Sequence, residues 1–203
     1  QACCDSLRLF LETCFPEAFP LAWSPDHLRI IERLETAIDG GGQFALAMPR
    51  GSGKTTIVER AAIWAIVTGR RRFVVLLGST ERAAKSLLDS IKTELTYNEL
   101  LHRDFGPECH GFPELEENAR RCIGQLCETE RTRIDWSNTH LSFGRNGATR
   151  AAESRIEVYG LTGALRGLKR TTADGELIRP DFVIPDDPQT RESARSPTQT
   201  AAR

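Results

Sequence analysis

Three features of the chain predict an α/β fold with a parallel sheet flanked by helices. Phe73-Val74-Val75-Leu76-Leu77 is an unbroken apolar run of strand length, the pattern of a parallel strand buried on both faces. Segments with apolar residues at helical spacing lie on either side of it. A glycine-rich stretch, Met48-Pro49-Arg50-Gly51-Ser52-Gly53-Lys54-Thr55-Thr56, joins the apolar run Phe44–Ala47 to one of those helical segments. Alternation of strand and helix in this order implies right-handed crossovers between neighbouring parallel strands.

Taken in order, residues 5–14 read as a short amphipathic helix with Leu7, Phe10 and Leu11 on one face, ended before Pro16 and Pro20. Asp26–Ile38 reads as a helix carrying Leu28, Ile31, Leu34 and Ile38, with Ser24 as N-cap and Pro25 in the first turn. Gly40-Gly41-Gly42 ends it, and Gln43–Ala47 is predicted to be a strand. The next helix runs from about Lys54 to Thr68 and is apolar around much of its circumference, as a helix packed on a sheet should be. Gly69 stops it before the Phe73–Leu77 strand. Ser79 or Thr80 then caps a helix reaching about Leu95. Residues 98–135 read as irregular with one helix over about Leu115–Cys127. Thr139–Phe143 and Arg155–Tyr159 alternate like strands, Gly160–Gly167 is a glycine-rich turn, and Thr190–Arg203 is polar and loosely ordered.

The length of 203 residues suits one sizeable α/β domain, and 39% hydrophobic with 27% charged residues is ordinary for a soluble globular chain. No apolar run approaches the roughly 18 residues of a membrane span. The start, Gln1-Ala2-Cys3-Cys4-Asp5, lacks the pattern of a secretory signal, and its lack of Met suggests a fragment or a processed start. Ordinary thiols are expected of the six cysteines, with Cys109-His110, Cys122 and Cys127 as a loosely spaced zinc alternative. A net charge of −1 advertises no global attraction for nucleic acid. The distribution is uneven: Arg145–Arg170 carries a local balance of +4 and Glu114–Glu130 one of −3. A mild basic run of that kind is by itself a solvated face.

The glycine stretch carries the chemistry. A strand feeding a glycine loop that opens a helix is the geometry of a phosphate cradle. Backbone N–H groups at Gly51, Ser52, Gly53 and Lys54 would surround an anion at the positive end of the helix dipole. Lys54 would reach the β- and γ-phosphates, Thr55 would complete a Mg²⁺ shell, and Thr56, next in the stretch, is assigned with Arg50 to nucleotide binding. The pattern departs from the full G-x-x-x-x-G-K-[ST] motif, because Met48 stands where the first glycine would be. A solvated strand-to-helix turn is the plain alternative.

A nucleoside triphosphatase also needs a carboxylate for the metal and a second acid to orient water. Only Phe182-Val183-Ile184-Pro185-Asp186-Asp187-Pro188 offers acids at the end of an apolar strand. Asp186 is assigned to the metal and Asp187 to water activation, with an exchange of the two jobs left open. Pro185 must end the strand, since it cannot donate to the ladder. Arg50 and Arg166 are candidates for stabilising charge on the γ-phosphate. The stretch from Trp23 to His27 is a candidate for contact with adenine, His27 in particular, against the plainer reading of core and cap.

Taken together, these residues resemble the N-terminal ATPase domain of phage terminase large subunits. The resemblance rests on the Met48–Thr55 loop with Arg50 and no first glycine, a deviant Walker A. It also rests on Phe73–Thr80 with the following helix at Ala83 and Ala84, on Leu165-Arg166-Gly167, and on Arg179-Pro180-Asp181 through Asp186-Asp187-Pro188. It implies a P-loop NTPase of the ASCE, RecA-like class. Residues 1–20 would form an N-terminal helical extension and residues 21–203 the ATPase domain, truncated after Walker B and without the family's nuclease domain. It further implies ATP and Mg²⁺ as cofactors and double-stranded DNA, a portal protein and a small terminase subunit as partners. A homo-oligomeric ring, in which Arg166 acts on a neighbour's nucleotide, would work in the cytoplasm of an infected bacterial host, transiently at the procapsid portal. A helicase-type P-loop ATPase is the main alternative; a small-molecule kinase and a nucleotide-binding module without turnover are others.

Overall fold

Every residue of β1 (Phe73–Gly78) is buried, so the apolar run becomes the spine of the sheet. The structure, a computed structural model, describes residues 2–49, 51–116, 118–127, 129–145, 149–161 and 167–187. β1 pairs in parallel with β6 (Arg155–Gly160) on one side and with β9 (Phe182–Pro185) on the other. Beyond β6 come β5 (His140–Ser142) and β4 (Asp135–Trp136), both joined antiparallel, giving the order β4-β5-β6-β1-β9. The fold is therefore α/β, but the sheet is mixed where a parallel one was predicted. β4 and β5, joined by only three residues, pair antiparallel because a parallel return needs a long crossover.

Alternation along β1 divides the core. Val74 and Leu76 join the large cluster with the helices, while Phe73, Val75 and Leu77 face a smaller cluster containing Ile178, Leu168 and Tyr159. The helical face holds α2 (Leu7–Cys14), α3 (Pro25–Gly40), α4 (Lys54–Val67), α5 (Glu81–Tyr97) and α6 (Glu99–Cys109). The opposite face is covered by a hairpin of β7 (Arg170–Thr171) and β8 (Leu177–Ile178). Leu7, Phe10, Leu11 and Cys14 of α2 are fully buried in the main core, preceded by the single turn α1 (Ala2–Asp5). The N-terminal helix thus packs into the main core cluster. No helix among the described residues is long and apolar enough to cross a membrane.

Two predicted elements are corrected. Gln43–Ala47 forms no strand: Gln43, Phe44, Ala45 and Ala47 are exposed, and only Leu46 is half-buried. A strand needs a ladder partner, and the short β9 that faces this run across a groove ends in a proline. Phe44 instead lies beneath the Arg33 guanidinium of α3, 5.6 Å from its ring centre. The helix expected over Leu115–Cys127 is replaced by 3₁₀ turns at Pro113–Leu115 and Ala119–Cys122, then by β2 (Leu126–Cys127) paired with β3 (Glu130–Arg131). Ile123 is 83% and Leu126 52% exposed there, so the later part of the segment buries no continuous apolar face as a helix would need. The helix in this region is α6, broken at Phe105 ahead of Gly106 and Pro107.

A buried ionic cluster ties α4 to α5. Arg60 donates to Glu59 at 2.9 Å, to the Ser90 hydroxyl at 3.0 Å and to Glu94 at 2.5 Å, while Ser90 donates to Glu59 at 2.7 Å. Burial holds the Glu59 carboxyl above its ordinary range despite those bonds. Removing the cation leaves buried acid without compensation, which costs about 3–5 kcal/mol. Arg60→Ala is expected to lose that much stability in urea unfolding; a loss below about 1 kcal/mol would show that the cluster is well solvated.

Candidate functional site

Parallel pairing sets the carboxyl ends of β6, β1 and β9 along one edge of the sheet, the edge where open α/β sheets hold ligands. Two helix N-termini sit at this edge. α5 begins there, capped by the Thr80 hydroxyl, which accepts from the Ala83 N–H at 3.2 Å. α4 begins at Lys54 after a tight loop in which Gly51 and Gly53 both have φ of 78°. A Cβ at either glycine would meet nothing within 4 Å, so backbone conformation and not crowding calls for glycine. Gly53 is the N-cap of α4, and no side chain caps that helix start.

The acid pair meets this helix start. Thr55 Oγ1 donates to Asp186 Oδ2 at 2.8 Å, and Lys54 Nζ donates to Asp187 Oδ1 at 2.9 Å. Residues more than 130 positions apart in sequence are thereby brought into direct contact. Asp186 is buried, and burial raises its carboxyl above the usual aspartate range, with the Asp187 charge adding to the shift against the Thr55 bond and Lys54. Asp187 is different. Its side chain is 64% exposed and its backbone is left-handed, with φ of 41°, a conformation that aspartate tolerates better than most residues. Its ion pair with Lys54 is water-exposed and hence worth little, so an incoming anion can take the lysine from it.

A groove of about 540 Å³ runs between α3 and the outer edge of β9 and opens onto Lys54, Asp186 and Asp187. Ile30, Leu34, Ala37 and Val58 line its apolar side. His27, at the start of α3, directs Nε2 to the Ser52 carbonyl at 2.8 Å and Nδ1 to the Ser24 hydroxyl at 2.8 Å. Both ring nitrogens are therefore engaged. Trp23 packs edge-on to His27 and donates Nε1–H to Glu12 at 2.7 Å. Thr56 lies half-buried in the first turn of α4. Arg50 and Arg166 lie outside the described residues, as do most of the Gly160–Gly167 turn and the tail from Thr190.

Other supports carried no motif. Asp181 accepts from the Arg72 and Phe73 backbone N–H groups at 2.8 and 2.9 Å, which aligns the starts of β1 and β9 and so places the acids at β9's far end. Its position just before an apolar strand was the available signal. Two arginines of the basic run are paired with acids: Arg145 with Asp174 at 2.9 Å, and Arg155 with Asp135 at 3.2 Å and with Glu157. Cys109 is buried, and among the described residues the donor atoms that gather are those of Cys3, Cys14 and Asp104, not those of Cys109, Cys122 and Cys127. Burial pushes the Cys14 thiol up to about 12.

Comparison with protein-family models, with curated proteins and with solved structures found no match to this chain.

Asp186 yields a stability prediction. Because its folded-state pKa is raised, folding favours the protonated form; the associated stability is present in acid and lost as pH rises through the raised value. Asp186→Asn keeps an acceptor for Thr55 and removes the buried charge. At neutral pH it is expected to raise Tm by about 2–4 °C, the effect of roughly 1 kcal/mol in a domain of this size. The gain should fade below about pH 4, where wild type is itself neutral there. Calorimetry across pH checks both parts, and a lower Tm at neutral pH refutes the account.

Proposed function

We propose that the chain is a P-loop NTPase domain and, within that class, the ATPase motor of a phage terminase large subunit. The observation that carries the class is the paired contact of Lys54 with Asp187 and Thr55 with Asp186, at the start of a helix that follows a glycine loop. In this reading the N–H groups of Gly51, Ser52, Gly53 and Lys54 hold the polyphosphate of ATP, helped by the dipole of α4. Lys54 leaves Asp187 for the phosphate oxygens. Asp187, released, orients a water in line with the γ-phosphorus. The water oxygen bonds to phosphorus as the bond to the β-γ bridging oxygen breaks, giving ADP and inorganic phosphate, and the water's proton passes to solvent through the carboxylate.

The oxygens of Thr55 and Asp186 suit a small hard cation such as Mg²⁺. Asp186 is buried and its charge is incompletely offset, so a cation there would relieve a strain already present. Such an ion would neutralise charge on the β- and γ-phosphates. Arg50 and Arg166 are assigned to transition-state charge from their places in the sequence and from the resemblance. The same resemblance supports the motor: coupling of hydrolysis to packaging of double-stranded DNA, in a homo-oligomeric ring with a portal protein and a small terminase subunit, in the host cytoplasm.

Calorimetric titration of ATP with Mg²⁺ tests the cradle. Lys54→Ala is expected to weaken binding at least about tenfold, the worth of one charge-assisted contact, and unchanged affinity would end the assignment. Asp187→Asn should bind ATP but hydrolyse it about 100-fold or more slowly than wild type; retained turnover would take Asp187 out of the reaction.

A further inference from the structure

The N-terminus of α3 and the glycine loop are joined by one side chain, His27. Ser24 caps α3 in a reciprocal box: its Oγ accepts from the His27 N–H at 3.3 Å, and the Ser24 N–H donates to His27 Nδ1 at 3.3 Å. A carbonyl oxygen can only accept, so the contact with Ser52 at 2.8 Å puts the proton on Nε2. Nδ1 is then the acceptor that the Ser24 N–H and hydroxyl require. The partners thus define one neutral tautomer, with no ring nitrogen left for a ligand.

The consequence lies on the other side of the Ser52–Gly53 peptide. The described chain has no cis bond, so this peptide is planar and trans, and its carbonyl and N–H point in opposite directions. Holding the Ser52 carbonyl toward α3 turns the Gly53 N–H away from it. Gly53 is held from its other end too, because its carbonyl accepts from the Ile57 N–H at 3.0 Å. Glycine, free to rotate at φ of 78°, would otherwise let this peptide flip. The Ser52 hydroxyl is buried without a hydrogen-bond partner among the described residues, so it does not take over the task.

We propose that His27 is a positioning residue for the glycine loop: its Nε2–H holds the Ser52 carbonyl so that the Gly53 N–H is presented to the polyphosphate of a nucleotide. It acts through the loop backbone and not on the base. This inference rests on the reading of the loop as a phosphate cradle.

The test compares ATP with inorganic tripolyphosphate, which has no base, each titrated with Mg²⁺ into the 203-residue chain. His27→Met removes the donor and is expected to weaken both ligands by about tenfold, the loss of one well-placed hydrogen bond. His27→Gln places an amide N–H₂ near Nε2 and an oxygen suited to the capping box, and should restore both affinities to within about threefold of wild type. Ser24→Ala removes the cap but leaves the Ser52 contact; it should lower Tm while both affinities stay within about threefold. Weakening of ATP alone in His27→Met would make His27 a base contact and overturn the proposal. So would wild-type affinity in His27→Met, failure of His27→Gln to restore binding, or a loss in Ser24→Ala equal to that in His27→Met. If wild type binds neither ligand, the phosphate cradle itself falls, a result distinct from all the others.

Discussion

The structure depends on the seating of two helix N-termini against the carboxyl edge of three parallel strands. At α5 the approach is backbone to backbone. A Cβ on Gly78, at the end of β1, would lie 2.5 Å from the Ala84 nitrogen, and one on Gly160, at the end of β6, would lie 2.7 Å from the Glu81 nitrogen. Side chains at either place would push the helix off the sheet, so glycine is required by contact. At α4 the seating is made instead by side chains, with Thr55 and Lys54 reaching the aspartates that follow β9. One helix start is closed by backbone packing, and the other is met by ionisable side chains.

That difference explains where the molecule carries electrostatic cost. The Glu59–Arg60–Glu94 cluster, more than one turn into α4, pairs a buried Arg60 with two carboxylates, and it ties the helix body to α5. Asp186 at the helix start is buried with its charge only partly offset, while Asp187 beside it is exposed and weakly paired.

Much of this was legible locally. Helix α3 announced itself through Ser24, Pro25 and its apolar spacing, and β1 through five consecutive apolar residues. The acids were legible because Pro185 and two aspartates punctuate an apolar strand, and Pro185 does end β9 as its missing N–H requires. Other parts were hidden by competing signals. Gly106 and Pro107 disguised α6, which tolerates them only past a break at Phe105. Gln43–Ala47 looked like a strand by composition, yet strand formation is settled by the neighbour's ladder, which no local pattern reports.

The sequence by itself determined the helices with one apolar face, the buried central strand and the two polar motifs, because each is encoded by residues within a few positions of one another. Tertiary structure alone decided that the sheet is mixed, that α2 belongs to the core and that Lys54 and Thr55 meet Asp187 and Asp186. It also decided that His27 bonds the loop carbonyl across 25 positions. These are contacts between distant segments, and their geometry follows from how strands align and helices pack, which the spacing of residues along the chain does not carry.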